Sequence, residues 1–394
     1  MAGRDVVIIG AARTPVGAFL GGLSSLTAPQ LGAAAIKAAL ERSGVAPGAV
    51  DEVWMGNVLQ AGVGQAPARQ AALFAGLPDT VPCNTLNKVC GSGLKAVVSA
   101  AQAIALGDAE VVVAGGMESM SNAPYLSHAM RTGARMGNVE FKDAMILDGL
   151  WDVYNQQHMG MCAEACASDF KISRATQDEF ALESTQRAIR AQKEGAFKAE
   201  IVGVSVPQKK GDPNLVTEDE GPKAARPEKI ATLKPVFKKD GTVTAANASS
   251  INDGAAALVL MSAERAKAEG RAVLGRFIGQ ATAARKPVEF TIAPTDAIRK
   301  LLTKTGHQVA DVDLWEINEA FAVVAIANNQ LLKLDSSKVN VRGGATSLGH
   351  PIGASGARLL ITLLYAMKDL GKKRGVASLC IGGGEGIAVM VERP

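Results

Sequence analysis

The chain has 394 residues, 47% of them hydrophobic and 20% charged, enough apolar material for two to three soluble globular domains. A net charge of +4 over that length is too weak to imply a nucleic-acid partner. No apolar run is expected to reach the roughly 18–20 residues that span a bilayer, so no membrane partner is expected either.

Residues 6–9 read as a short buried strand ending at Gly10, and Ala28–Ser43 as a helix stopping before Gly44. Residues 51–55 are a second strand. Residues 85–90 lead into a helix over 91–106, with Leu94, Val97, Val98, Ala101 and Ala105 on one face and Gly107 as its stop. The Val-rich run 110–114 is then a buried strand closed by Gly115-Gly116. Near the other end the plan recurs. Gly353 to Gly356 opens a helix to about Leu370, Gly375 marks a turn, and residues 376–380 form a strand closed by Gly382-Gly383-Gly384. This pattern predicts an internal duplication of a strand–helix–strand half. Between the halves lie polar helices, with Ser173 as a plausible N-cap, and an aperiodic Pro/Gly/charge stretch over 208–229. That stretch reads as a surface loop whose Lys209, Lys210, Lys223, Arg226 and Lys229 are either solvated or available to phosphates.

The start of the chain lacks the features of a secretory signal, and Glu392-Arg393-Pro394 is no peroxisomal address, so a cytoplasmic location is expected; a transit peptide missing from this sequence is compatible with it. Five irregularly spaced cysteines, at 83, 90, 162, 166 and 380, point to free thiols in a reducing compartment. Cys90 stands in Asn87-Lys88-Val89-Cys90-Gly91-Ser92-Gly93, between a strand end and a helix start. The free N–H groups and partial positive charge of a helix N-terminus lower a thiol pKa, so Cys90 is the candidate nucleophile, against the alternative of a buried structural cysteine. His350, in Gly349-His350-Pro351-Ile352-Gly353, precedes the second helix as Cys90 precedes the first, and is the candidate base. Cys380 precedes a glycine loop whose N–H groups suit an oxyanion. Asn318, in Asn318-Glu319-Ala320-Phe321 after an alternating run, is placed to orient a water. His158, Cys162 and Cys166 at i, i+4, i+8 lack a completing pair for zinc, so no metal site is expected.

These segments resemble the motifs of the thiolase family: 87–93 its nucleophile motif, 318–321 its Asn-Glu-Ala-Phe, 349–356 its Gly-His-Pro, and 380–386 its C-terminal Cys-Ile-Gly-Gly-Gly. The similarity extends over essentially the whole chain. It implies an α/β fold of two duplicated βαβαβαββ halves in a five-layered α-β-α-β-α core. Residues 1–118 and 249–270 would form the N-terminal half, 119–248 an inserted CoA-binding loop domain, and 271–394 the C-terminal half. It further implies reversible Claisen condensation of two acetyl-CoA to acetoacetyl-CoA and CoA. Cys90 would carry the acetyl group, His350 would activate it, and Cys380 would move the α-proton. The N–H groups of Cys90 and Gly382 would form one oxyanion hole, and His350 with a water on Asn318 the other.

Gln157-His158-Met159-Gly160 resembles the segment that closes the acyl pocket in short-chain thiolases. Leu150, Phe237, Ser249, Ala320 and Phe321 match CoA-pocket positions. Lys223 falls where many relatives place an arginine near the CoA nucleotide, and Arg226 is the alternative. The family is usually dimeric or tetrameric, which implies a homotetramer. No cofactor is expected beyond the CoA thioesters; some relatives use potassium beside this loop, and nothing in the sequence decides for or against it. The competing readings are a degradative 3-ketoacyl-CoA thiolase of broader chain length and a non-catalytic CoA- or lipid-binding homologue.

Overall fold

The computed structural model describes residues 3–394. In the first half the strands lie in the order Cys83–Leu86, Glu52–Gly56, Val111–Ser119, Asn252–Ser262, Val6–Arg13. In the second half the order is Leu314–Ile317, Arg374–Ile381, Glu385–Glu392, Gly275–Ala284. A parallel bridge from Trp315 to Val339 occupies the place that Cys83–Leu86 takes in the first half. The repeated order is the duplication that the glycine-flanked units predict. The halves meet where Val7 pairs with Arg276 and Ile8 with Gly275, so one mixed ladder runs through both, ten-stranded with the short Gly17–Ala18 paired beside Asn252–Ser262.

Helices set the layers. Ala28–Ser43 and Pro67–Phe74 cover the outer face of the first half. A capping box between Thr27 and Gln30 starts the former, and Gly44, at φ 67°, stops it. Ala293–Thr305 covers the outer face of the second half. Between the two lie Ser92–Leu106 and Ser355–Asp369. The first buries Leu94, Val97, Val98 and Ala101, the face its spacing predicts. The second is buried nearly all round, as a helix enclosed within the core must be. Each of its buried leucines stabilises the core by about 1.5–3 kcal/mol. The segment Val89–Leu106 is, by length and hydropathy, apolar enough to cross a bilayer, against expectation; its helix is part of the central layer.

Several glycines expected to end strands or mark turns lie within strands. Val6–Arg13 runs through Gly10, Val111–Ser119 through Gly115-Gly116, and Arg374–Ile381 contains Gly375. Their role is close approach. A Cβ on Gly10 would stand 2.5 Å from the Ala39 carbonyl, and one on Gly375 2.5 Å from Met367 Sδ. The turn before the latter strand is made by Gly371, at φ 63°.

The segment from Met120 to Ile251 carries three short hairpins and the helices Met159–Asp169 and Arg174–Lys193, the latter capped by Ser173. The stretch expected to be irregular holds a strand, Asn214–Val216, and a short helix, Glu220–Ala224. Buried ion pairs pin the segment to the core: Arg13 meets Glu200 at 2.6 Å and Asp219 at 2.7 Å, all fully buried. Removing one partner of such a pair costs about 3–5 kcal/mol.

Candidate active site

The two central helices cross at their N-termini through glycine. A Cβ on Gly93 would stand 3.0 Å from the Ala357 nitrogen, and one on Gly356 2.6 Å from the Leu94 nitrogen. This crossing brings the loops that precede the helices, one carrying Cys90 and the other His350, to the floor of a single cavity of about 280 Å³. Val89 enters its loop at φ 45°, a left-handed conformation that costs a β-branched residue about 1–2 kcal/mol. Asn87 Oδ1 accepts from the Val89 N–H at 2.8 Å and holds that turn.

The backbone N–H groups of Gly382 and of Cys90 itself act to lower the Cys90 thiol. Burial nevertheless dominates and pushes the thiol up to about 11. The expectation that the helix N-terminus leaves a low-pKa thiol is therefore corrected: two N–H groups do not offset the loss of water. His350 moves the opposite way, down to about 3, through burial first and the Arg358 guanidinium second. At neutral pH the pair is a neutral thiol and a neutral imidazole.

Hydrogen bonds assign the tautomer of His350. Ser355 Oγ donates to the Pro351 carbonyl at 2.9 Å, so it accepts the Nδ1–H of His350 at 2.6 Å. The Nε2 lone pair is left to face the cavity side, where Asn318 Nδ2 donates to it at 3.4 Å. Asn318 Oδ1 is buried without a protein partner, which suits an ordered water. Cys380 is fully buried behind the floor. Burial raises its thiol well above the usual value, and the proximity of Cys90 adds to the shift.

Leu150, His158, Met159, Phe237, Ser249, Ala320 and Phe321 all line the cavity. Phe237 stacks on His158 with centroids 4.7 Å apart and meets Phe321 edge-on. His158 Nδ1 accepts from the Gly160 N–H at 3.1 Å, so its Nε2 carries the proton. Ser249 Oγ donates to the Ala320 carbonyl at 2.8 Å and joins two walls. Cys162 and Cys166 are buried, and among the described residues no three His, Cys, Asp or Glu side chains group as metal ligands.

Lys223 is not brought to this site. It lines a separate depression with Glu218 and Glu220. Arg226 lines an adjoining cavity of about 300 Å³ that shares Ser250 with the first, beside Lys229 and Leu233. Sequence reasoning missed Ser355, whose signal is its position one turn after His350. It also missed the apolar lining residues Met120, Ile251, Phe290 and Ile352, which carry no signal in isolation.

Comparison with known proteins agrees with this geometry. Residues 6–264 match the family "Thiolase, N-terminal domain" and residues 271–393 "Thiolase, C-terminal domain". The chain is similar to the acetyl-CoA acetyltransferase of Cupriavidus necator, at 56% identity over 99% of each chain. It is similar to that of Pseudomonas aeruginosa, at 54% identity over 99% of this chain and 100% of the other, and to that of Schizosaccharomyces pombe, at 52% identity over the full length of both. With both halves matched and the thiol, imidazole and glycine loop on one cavity floor, the chain belongs to the thiolase family.

Proposed function

We propose that this thiolase condenses two molecules of acetyl-CoA reversibly to acetoacetyl-CoA and CoA, with the acetyl group carried on Cys90. The observation that carries this reading is the shared cavity floor of Cys90, His350 and the Gly382 N–H. In the first step the Cys90 sulfur attacks the thioester carbonyl as its proton passes to His350 Nε2. That proton stays on His350 Nε2 while Cys380 gives its own to the departing CoA thiolate, so acetyl-Cys90 and a Cys380 thiolate remain. In the second step Cys380 takes an α-proton from a second acetyl-CoA. The resulting enolate oxygen rests on His350 and the water of Asn318. The enolate carbon attacks acetyl-Cys90, whose carbonyl oxygen is held by the N–H groups of Cys90 and Gly382. Collapse releases acetoacetyl-CoA, and Cys90 recovers its proton from His350 Nε2, which restores the neutral thiol, imidazole and Cys380 thiol. An oxyanion-hole donor is worth about 2.7–4 kcal/mol in such a step.

The wall limits the acyl group. Met159 lines the cavity and reaches to about 3.9 Å from a Cβ built on Gly382. With Phe237 stacked on His158, this favours a two-carbon acyl unit over the longer chains of a degradative thiolase. Arg226 takes the place of Lys223 as the cation for the CoA phosphates. The scheme uses no cofactor beyond the CoA thioesters, and unchanged turnover after exchanging potassium for a large organic cation checks that. A homotetramer fits the apolar side chains exposed along residues 125–141, including Tyr125, Met130, Met136 and Phe141. Light scattering tests it. The central test is incubation with radiolabelled acetyl-CoA followed by CoA-dependent cleavage of acetoacetyl-CoA. A protein that takes up no label and cleaves nothing overturns the enzyme reading.

A further inference from the structure

Glu118, the penultimate residue of the strand Val111–Ser119, is a fully buried carboxylate, and no step of the mechanism uses it. Its two oxygens accept four hydrogen bonds. Asn57 Nδ2 donates at 2.7 Å and the Leu59 N–H at 3.2 Å to one oxygen; the Val58 N–H at 3.0 Å and the Gly353 N–H at 2.9 Å donate to the other. Every partner is a donor, which an ionised carboxylate satisfies and an amide cannot. The donors come from both halves. Val58 accepts from Asn87 Nδ2 at 3.5 Å, three residues before Cys90, and Gly353 lies three residues after His350.

The packing is built around this group. A Cβ on Gly353 would stand 2.6 Å from Glu118 Oε2, and one on Gly116 would collide with the Gly353 carbonyl. Glycine at these positions lets the His350 loop rest directly on the carboxylate. We propose that Glu118 is a positioning residue for the Cys90–His350 pair: its carboxylate ties the Asn57–Leu59 segment of the first half to Gly353 of the second and so sets the separation of the two reacting side chains. Its negative charge also opposes ionisation of Cys90, the weakest of the influences on that thiol, while burial pushes Glu118 itself up to about 7.

This inference rests on the thiol–imidazole reading of the site. Failure of that reading appears as acetyl labelling that survives Cys90→Ala. The inference itself is tested with Glu118→Gln and Glu118→Asp. Glu118→Gln leaves two N–H donors facing an amide N–H and removes the charge. The expected result is a kcat loss of about 100-fold, as for a misplacement near 1 Å, with KM for acetyl-CoA within about twofold. The pH midpoint of Cys90 alkylation by iodoacetamide falls in the same variant. Glu118→Asp keeps the charge but shortens the reach; it loses turnover and keeps the wild-type alkylation midpoint. Wild-type kcat in Glu118→Gln, or a lost kcat with an unmoved midpoint, overturns the proposal. If neither variant folds, Asn57→Ala, which removes one donor and keeps the carboxylate, carries the test. A severalfold loss of kcat supports the proposal and unchanged turnover overturns it.

Discussion

The helices that begin at Ser92 and Ser355 are each 15 residues long, start Ser-Gly and touch through Gly93 and Gly356, yet the loops that feed them carry different chemistry. The first-half loop holds a thiol in a strained turn, with Val89 at φ 45°. The second-half loop holds an imidazole fixed by Ser355. Burial displaces both groups, the thiol up to about 11 and the imidazole down to about 3. One duplicated frame thus yields a nucleophile and a base that are both neutral at rest. Proton transfer between them is coupled to attack on the substrate rather than completed beforehand.

Removing the nucleophile breaks this comparison most severely. Cys90→Ala is expected to abolish acyl transfer, by at least about 10⁴-fold, read as loss of label from radiolabelled acetyl-CoA. Cys380→Ser separates the two chemical steps. Labelling of Cys90 persists while condensation slows by about 10²–10⁴-fold, the range for loss of a general acid–base group. Met159→Ala sharpens the distinction between floor and wall. Discrimination against a longer 3-ketoacyl-CoA should relax by about 10-fold or more in kcat/KM, with the rate on acetoacetyl-CoA less affected. Gly356→Ala attacks the crossing itself. The added methyl group meets the Leu94 backbone, and a loss of about 1–3 kcal/mol is expected in urea unfolding.

The smallest effect is that of pH. The rate of Cys90 alkylation should keep rising between pH 7 and pH 10, because the thiol titrates near 11. A plateau near pH 7 would contradict the neutral pair. For His350 the folded value lies below the unfolded one near 6.5. Its contribution to stability is therefore full above pH 6.5 and lost as pH falls toward 3. His350→Asn should flatten that part of the Tm profile.

Much of the site was legible because its chemistry sits in short segments. Cys90, His350, Asn318, Cys380 and Gly382 each stand at a strand end or helix start marked by glycine or proline. The failures share a cause: they depend on contacts between distant parts of the chain. Gly10, Gly115 and Gly375 look like stops in isolation, but each is a point where another element lies too close for a side chain. Lys223, on the helix Glu220–Ala224, lines a depression with Glu218 and Glu220 that is separate from the catalytic cavity, a placement set by the packing of the inserted segment. Glu118 left one signal, a lone carboxylate in an apolar strand, but its four donors come from segments about 60 and 235 residues away in the chain. The shifted thiol had the same origin. The helix N-terminus is visible in the sequence, whereas the cavity walls packed around it from distant segments are not.

The neutral resting thiol has a consequence for chemical durability. Peroxides oxidise the thiolate form, and a cysteine that ionises only near pH 11 offers almost none of it in a neutral medium. The same burial that makes the nucleophile depend on its base thus shelters it from oxidants that never engage that base.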